Sequence, residues 1–444
     1  MGDQTEGGNV RIDVNALVAD LKNMMYENLP LSSRCCIFRI PNVLMRHSPK
    51  AYAPNAFSIG PFHYNKPHLK ANQKIKLKYL YDLISRIPGT DAEKKLRVLM
   101  AAISDVRKEA RECYEGSIGM SMDEFVKVLV LDGCFLIELF CKGSYREFRR
   151  KNDPIFGVNF MNTVLSHDLI LLENQIPWLV LDRLSSMTIA GAVALPLNGL
   201  IANFFVSFFS RGEKLCMESD KHYEDEYYRD KHKEYKHILD LFRDSLIFPS
   251  SIAKQDKGSL NCVTDWKQMP TATSLQEAGI RFKRATSSMP SNILDIKFRD
   301  GVLEIPQLLI QDMTESLLRN LICYEQCLPH CEEVITSYAV LLDSLINTPK
   351  DMEILCKSEI IDNLMDIEDA TIFFNRIFND ASMRLFYYLP LVDEVNKYCR
   401  RRWPRYRRVL IHDYFKHPWA LTSVMVAAML LILTLLQTVF TLIK

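Results

Sequence analysis

The stretch MDEFVKVLVLDGCFLIELF, residues 122–140, is the segment around which we expect the rest of the chain to fold. Ser121 and Glu124 form a capping-box pattern, which predicts that a helix begins here. Apolar side chains cover most of the helix circumference, with Asp132 and Glu138 as acidic exceptions. Because a helix that is apolar nearly all round is typical of a protein interior, we expect this helix to lie at the centre of the body.

Helical patterns continue on both sides of this segment. Apolar residues recur three and four positions apart in residues 69–86 and 92–115, and helices are predicted over most of residues 313–408. The stretch HDLILLENQIPWLVLDRL, residues 167–184, predicts a second central helix that Pro177 should kink or end. The fold class predicted from these patterns is mainly α.

One segment has the pattern of a β hairpin. In ILDIKFRDGVLEIP, residues 293–306, apolar and polar residues alternate on both sides of Asp300-Gly301. An Asp-Gly pair between two alternating runs favours a two-residue turn between antiparallel strands. A minor β hairpin therefore accompanies the helices.

The predicted organisation has three parts. They are an N-terminal leader region at 1–30, a helical body at 31–415 and a terminal apolar segment at 418–443. Residues 212–273 are first dense in charge and then rich in Ser, Pro and polar residues, which predicts a solvated linker within the body. We expect solvated side chains for the histidines associated with this run, since they lack ligand spacing: His222, His232 and His237.

Composition excludes several classes of protein. With 48% hydrophobic residues in 444, the chain can bury a large core and is not a disordered protein. Lys and Arg (55) almost balance Asp and Glu (54), so the chain has no overall attraction to nucleic acid, and no nucleic-acid partner is expected. The 12 cysteines lack the spacing of a disulfide framework, which favours reduced thiols in a body that faces the cytosol.

The terminal segment, WALTSVMVAAMLLILTLLQTVFTLI from Trp419 to Ile443, contains no charged residue. As a helix it would span roughly 37 Å at about 1.5 Å per residue, more than the hydrocarbon thickness of about 30 Å. A buried helix of a soluble core is usually shorter and keeps a polar stripe. The sequence therefore predicts one transmembrane helix, with Trp419, Leu430, Leu435 and Ile443 spaced along it.

Basic residues precede this segment, whereas only Lys444 follows it. By the positive-inside rule, this asymmetry predicts a single-pass, tail-anchored protein of the plasma membrane or an endomembrane, with its body in the cytoplasm. The basic side chains would also attract anionic lipid. The basic membrane flank consists of Arg400, Arg401, Arg402, Arg405, Arg407 and Arg408.

A second charge-free stretch runs from Leu184 to Ser210. Pro196, Gly191 and Gly199 break its helical continuity, so we interpret it as buried core. The alternative is a membrane-inserting hairpin, which would make the protein membrane-perturbing or channel-like.

For each group of residues that could carry out chemistry, a structural role explains the sequence better than a functional one. The acids Asp132 and Glu138, and likewise Asp168 and Glu173, lie in apolar segments but do not share a helix face, which favours ion pairs or caps over a carboxylate-based hydrolase site. The possible metal ligands that lie near one another in the sequence are Cys323, Cys327, His330 and Cys331. Zinc sites normally combine two pairs of ligands, and no second pair is evident here. No catalytic, cofactor-binding or metal-binding residue is predicted.

The order of motifs resembles the plant-specific family that carries domain of unknown function 247. The matching stretches include CIFRIP (36–41), AYAPNAFSIGPFHY (51–64), VLDGCFLIELF (130–140), DLILLENQIPWLVL (168–181), LQEAGIRFK (275–283), LDIKFRDGVLEIP (294–306), TESLLRNLICYEQC (314–327), VNKYC (395–399) and the HPW before the terminal segment. The resemblance implies a member of a family of plant membrane proteins without an established enzymatic activity. Some members are associated with pollen-stigma self-incompatibility.

These observations lead to one expected function and two alternatives. We expect a non-enzymatic recognition or signalling component that binds membrane lipid and another protein, without a cofactor. The alternatives are the channel-like protein and the hydrolase described above.

Overall fold

The N-terminal part of the chain surrounds one long central helix. The computed structural model describes residues 13–27, 32–89, 91–205, 234–247, 268–285, 292–401 and 418–442. The helices of this part are α1 (Val14–Glu27), α2 (Asn42–Met45), α3 (Gln73–Arg86), α4 (Ala92–Asp105), α5 (Arg107–Glu112), α6 (Met122–Ser144), α7 (Asn159–Leu169), α8 (Trp178–Thr188) and α9 (Leu197–Phe205). Short 3-10 helices occupy Pro49–Tyr52, Pro67–Asn72 and Arg146–Phe148.

Helix α6 is the central helix that the sequence predicted. It begins after Ser121, whose hydroxyl accepts the Glu124 N–H at 3.2 Å. Helices α3, α4, α8 and α9 pack around it. Phe135 and Phe140 on this helix are completely buried, which confirms its central position.

The predicted helix over residues 167–184 is interrupted well before Pro177. Helix α7 ends at Leu169 and α8 begins at Trp178, so residues 170–177 are irregular although they are buried. The reason lies in the polar side chains of this segment, which bond to backbone groups elsewhere and so compete with helical hydrogen bonds. Pro177 occupies the N-cap of α8, in agreement with its predicted role at a helix boundary.

The C-terminal part combines helices with two small sheets. Its elements are α10 (Ile238–Ile247), α11 (Ala272–Glu277), β1 (Arg281–Arg284), β2 (Lys297–Arg299), β3 (Val302–Ile305), β4 (Leu308–Ile310), α12 (Asp312–Cys327), α13 (Val334–Leu345), α14 (Pro349–Lys357), β5 (Ile361–Asn363), α15 (Ile367–Ile377) and α16 (Leu389–Cys399). One sheet has the order β1-β3-β2, and β4 pairs with β5 in parallel.

The predicted hairpin is confirmed. Strands β2 and β3 are antiparallel, with Phe298 opposite Leu303. Asp300 and Gly301 form the turn with φ values of 49° and 75°, which suits the two left-handed positions of a type I′ turn. The fold is thus mainly helical with small sheets.

A continuous hydrophobic core joins the two parts, running from Cys35 to Val395. Helix α10 contributes buried side chains such as Leu239 and Phe242 to this core, although it lies inside the predicted linker. Residues 212–233 and 248–267 of that linker are outside the described residues, and the proposed domain division stays a prediction.

The described part of the stretch from Leu184 to Ser210 contributes buried residues to the core, although residues 190–194 are exposed or half-buried. Leu184, Leu200 and Ile201 are completely buried, and α9 packs against α6. Residues 206–210 lie outside the described residues. The described part confirms the interpretation as core, not the membrane-inserting alternative.

The C-terminal segment forms α17 (Pro418–Leu442), a helix of 25 residues. Across the described ranges, no helix is both long and apolar enough to cross a membrane. The structure therefore supports the predicted helix but not its predicted transmembrane character.

Candidate functional site

Asp132 lies in the middle of α6 and is held by partners from two other segments. Its Oδ1 is 2.5 Å from Lys76 Nζ on α3, and its Oδ2 accepts the Gly60 N–H at 2.8 Å. Lys76 also donates to the Ser58 carbonyl oxygen. Burial raises the pKa of Asp132, against the lowering effect of Lys76 and the Gly60 N–H. This carboxyl therefore fixes the turn at residues 58–60 on the central helix.

Glu138, six residues further along α6, has a separate set of partners. It accepts from Arg86 Nη1 at 2.8 Å and lies 3.7 Å from Lys142 Nζ. Burial raises its pKa, and Arg86 opposes that rise. The structure thus confirms structural ion pairs for Asp132 and Glu138 and places them in separate contacts.

Sequence analysis missed a second buried cluster next to Glu138. Lys142, which is completely buried, donates to Asp82 at 2.8 Å and to Asp153 at 2.9 Å. Tyr79 donates to the other oxygen of Asp153 at 2.6 Å. The signal in the sequence is the position of Asp82 and Lys142 on otherwise apolar helix faces, where a charge requires a partner.

Asp168 caps the backbone of a distant segment. It accepts the N–H groups of Asn55, Ala56 and Phe57 at 2.7 to 2.8 Å. The side chain of Asn174 accepts the Ile59 N–H at 2.7 Å and donates to the Phe57 carbonyl at 3.0 Å. These side chains replace the helical or sheet partners that residues 55–59 lack.

Glu173 holds the preceding extended segment in the same way. Its Oε1 accepts the Ile40 N–H at 2.8 Å, and its Oε2 lies 3.3 Å from His63 Nε2. Burial tends to raise the pKa of Glu173, but hydrogen bonds from His63 and Ile40 lower it overall. Glu173 therefore stays in its charged form as a fixed acceptor.

Together these contacts bring the motif stretches 36–41, 51–64, 130–140 and 168–181 into one buried polar network. Each of the four predicted acids is engaged by a lysine, an arginine, a histidine or backbone N–H groups. Such an arrangement positions the chain and offers no free carboxyl pair for general acid–base chemistry.

The cysteines and His330 at the end of α12 are not grouped as metal ligands in the described residues. Cys323 Sγ and Cys327 Sγ are 3.9 Å apart, and His330 is exposed in the turn that follows. In the part of the chain that is described, no three His, Cys, Asp or Glu residues are arranged to hold a metal ion. Elsewhere, the Cys113 thiol donates to the Glu109 carbonyl oxygen at 3.3 Å.

The prediction that His237 is solvated is wrong. This histidine is completely buried beside α10, where it bonds to the Cys36 carbonyl at 3.0 Å. The cause is a long-range contact, since Tyr324 also packs on the imidazole. His222 and His232 lie outside the described residues.

The residues of the predicted membrane attachment are described only in part. Leu430 and Leu435 of α17 are 60% and 61% exposed. Arg400 and Arg401 are exposed at the end of the body. The side chains of Trp419 and Ile443, and all of Arg402, Arg405, Arg407 and Arg408, lie outside the described residues.

Comparisons with known proteins confirm the family resemblance. Residues 37–433 match the model of a family, DUF247, described as "Plant protein of unknown function". The UPF0481 protein At3g47200 of Arabidopsis thaliana is 29% identical over 430 residues, covering 91% of this chain and 85% of the relative. A second UPF0481 protein of that plant, At3g02645, is 22% identical over 508 residues, covering 95% and 92%. No solved structure matches this chain.

Proposed function

We propose a function from the features of this chain itself, because it belongs to DUF247, a plant family of unknown function. The protein is a membrane-anchored, non-enzymatic recognition or signalling component whose helical body binds another protein. Helix α17 is the single anchor, in the plasma membrane or an endomembrane, and the body faces the cytoplasm.

The exposure of α17 is the observation that carries this proposal. Its large apolar side chains, from Met425 to Val439, are 48% to 66% exposed. Exposed apolar surface of this size is rare on soluble monomers and marks a site of interaction with a membrane or a partner. The sequence of the whole segment Trp419–Ile443 is free of charge, including the ends whose side chains lie outside the described residues.

The basic flank supports the choice of a membrane and the orientation. Six arginines occur within residues 400–408, immediately before the apolar segment, and one lysine follows it. Basic residues concentrate on the cytoplasmic side of membrane helices. The buried acids support a non-enzymatic role, since Asp132 and Asp168 are each occupied by contacts that hold the fold.

Extraction of membranes tests the anchor. We expect the wild-type full chain, expressed in plant cells, to stay in the membrane pellet during alkaline carbonate extraction. The double variant L430R/L435R should move to the supernatant, since each arginine near a bilayer centre costs about 3 kcal/mol. The matched control is L364R, which changes a leucine of the body that is 49% exposed.

A wild-type chain that carbonate releases as readily as L430R/L435R would contradict the anchor.

Protease added outside sealed microsomes should digest the body and spare a tag placed after Lys444. A body that is protected from the protease would refute the orientation. Proximity labelling with a tag before Met1 then tests recognition. Full-length protein should enrich specific membrane-associated proteins that a chain lacking Trp419–Lys444 does not.

A further inference from the structure

A continuous part of the N-terminal sequence carries positive charge only. Between residues 28 and 81 there is no Asp or Glu, although the chain as a whole is nearly neutral at +1. The nine basic residues of this part are Arg34, Arg39, Arg46, Lys50, Lys66, Lys70, Lys74, Lys76 and Lys78. Its local positive charge is therefore unusual for this chain.

Helix α3 divides the residues of this part between two faces. Tyr79 and Leu83 are buried on one side together with Lys76, which pairs with Asp132. Lys74, Leu77, Lys78 and Tyr81 are exposed on the other. At about 100° per residue, these four positions fall within a sector of about 100°, and exposed Lys70 lies one turn earlier. We call Lys70, Lys74, Leu77, Lys78 and Tyr81 the lysine face.

The charges of the lysine face are not neutralised by the body. Lys70, Lys74 and Lys78 make no ion pair with any described residue, and Lys78 Nζ reaches only the Asn152 carbonyl, at 3.4 Å. Leu77 and Tyr81 are 55% and 63% exposed between these lysines. Arg150, beside Tyr81 at 5.8 Å from its ring, already pairs with Asp82.

We propose that the lysine face lies against the anionic headgroups of the membrane to which the chain is anchored, an inference that rests on the proposed function. Each lysine near an anionic leaflet is attracted by the negative surface potential of the lipid headgroups. The leucine and tyrosine add the apolar and aromatic contacts that suit the headgroup boundary. The body is then held flat on the cytoplasmic leaflet by two contacts, α17 and α3.

The geometry favours a lipid surface over other anions. The lysines are separate point charges on a convex surface, and helical neighbours at this spacing have Cβ atoms about 5 to 6 Å apart, whereas a single phosphate is recognised by converging or bidentate donors. Nucleic acid bound in single strands uses rows of stacked aromatic side chains, and the lysine face offers one tyrosine. Laterally distributed headgroups fit this pattern.

Footprinting of the full chain tests the contact. The chain is placed in nanodiscs of phosphatidylcholine alone or with added phosphatidylserine, and lysine acetylation rates are read by mass spectrometry. We expect acetylation of Lys70, Lys74 and Lys78 to fall several-fold with phosphatidylserine and to recover at high salt. The acetylation rates of the control lysines should not change. These lysines are also exposed and make no ion pair with a described residue: Lys108, Lys127 and Lys350.

Charge reversal supplies the matched variants. Phosphatidylserine should protect Leu77 and Tyr81 of the wild type from hydroxyl radicals. This protection should disappear in K70E/K74E/K78E and remain in K108E/K127E/K350E. Circular dichroism checks that both triple variants fold.

Three outcomes overturn the inference: equal acetylation in both lipids, loss of protection in both triple variants, and protection that appears only with RNA or an acidic polypeptide. A chain that does not enter neutral nanodiscs at all refutes the anchor itself, which is a separate failure.

Discussion

His237 shows how the structure fixes the protonation state of one side chain. The Asp240 N–H donates to its Nδ1 at 3.1 Å, so the proton of the neutral ring must sit on Nε2, which bonds to the Cys36 carbonyl. A second proton on Nδ1 would break the Asp240 contact inside the core. Burial lowers the pKa of His237 to about 4, although Asp240 and the Cys36 carbonyl favour the charged form.

This histidine makes stability depend on pH in a defined direction. Between pH 6.5 and about 4 the unfolded chain binds a proton at this position that the folded chain does not, so acid favours unfolding. We expect His237 to account for about 2 to 3 kcal/mol of lost stability at pH 4.5 relative to pH 7. Urea unfolding of wild type and H237Q at both pH values measures it.

The two free energies of unfolding should converge as the pH falls, because H237Q lacks this proton uptake. The control is H330Q, which changes an exposed histidine and should leave the wild-type dependence in place. Parallel curves for wild type and H237Q would show that the imidazole is not held neutral.

The location of His237 could not be predicted from its neighbours. It follows the charged run that includes Lys233 and Lys236, and this polarity predicts solvent exposure. Its partner Cys36 is 201 residues away in the chain. Burial of a single polar residue through so distant a contact leaves no periodic signal.

The turn at Gly60 carries the contact between residues 51–64 and the segment 170–177. Gly60 has φ +72°, and a Cβ at this position would lie 2.4 Å from the Gln175 carbonyl oxygen. Both features require glycine. Other residues rarely adopt this positive φ, and the Gln175 carbonyl oxygen is a backbone atom that cannot easily move away from a Cβ. The close approach behind this turn leaves no signal in the local sequence.

Two alanine variants separate these requirements. Gly116 also has a positive φ, +65°, but a Cβ there would meet nothing within 4 Å. We expect G116A to cost about 1 to 2 kcal/mol from backbone strain alone. G60A should cost about 2 to 5 kcal/mol, since overpacking against Gln175 adds about 1 to 3. Urea unfolding followed by circular dichroism measures both, and equal losses would show that residues 170–177 move aside freely.

At the scale of elements, local patterns succeeded where the chain pairs with its near neighbours. The hairpin at Asp300-Gly301 and the start of α6 at Ser121 depend on contacts between residues three to seven positions apart. The interruption after Leu169 depends on Asp168 and Asn174 reaching residues more than 110 positions away. A helical pattern was therefore visible in residues 167–184, whereas the polar network that breaks the helix was not.

The difference between local and long-range contacts also explains which features of the candidate site could be predicted from the sequence. Acids in apolar surroundings predicted partners, and the structure supplies them for Asp132 and Glu138. The identity of those partners, Lys76 and Arg86 on α3, follows only from the packing of α3 against α6. Pairing was thus predictable, and the network was not.

The whole body is connected by polar contacts across its two parts. Asn320 on α12 donates to the Ala51 carbonyl at 2.8 Å and accepts the Leu172 N–H at 2.9 Å. His167 Nε2 on α7 lies 3.0 Å from Ser316 Oγ on α12. Because these groups are buried with the continuous core around them, opening one part would expose unpaired polar groups of the other.

The two parts should consequently unfold in one transition. Gly60 belongs to the N-terminal part, whereas Asp351 at the start of α14 accepts the N–H groups of Thr273 and Thr348 at 2.7 and 2.9 Å. We expect G60A and D351A each to lower the urea midpoint of the full chain in detergent, measured by hydrogen exchange of α6 and of α13 together. Both helices should lose protection at one shared midpoint in every variant. The contrary outcome is two midpoints, with G60A lowering only that of α6 and D351A only that of α13. It would mean that the core joins two independently folding domains. The body would then be able to rearrange around α10 when a partner binds.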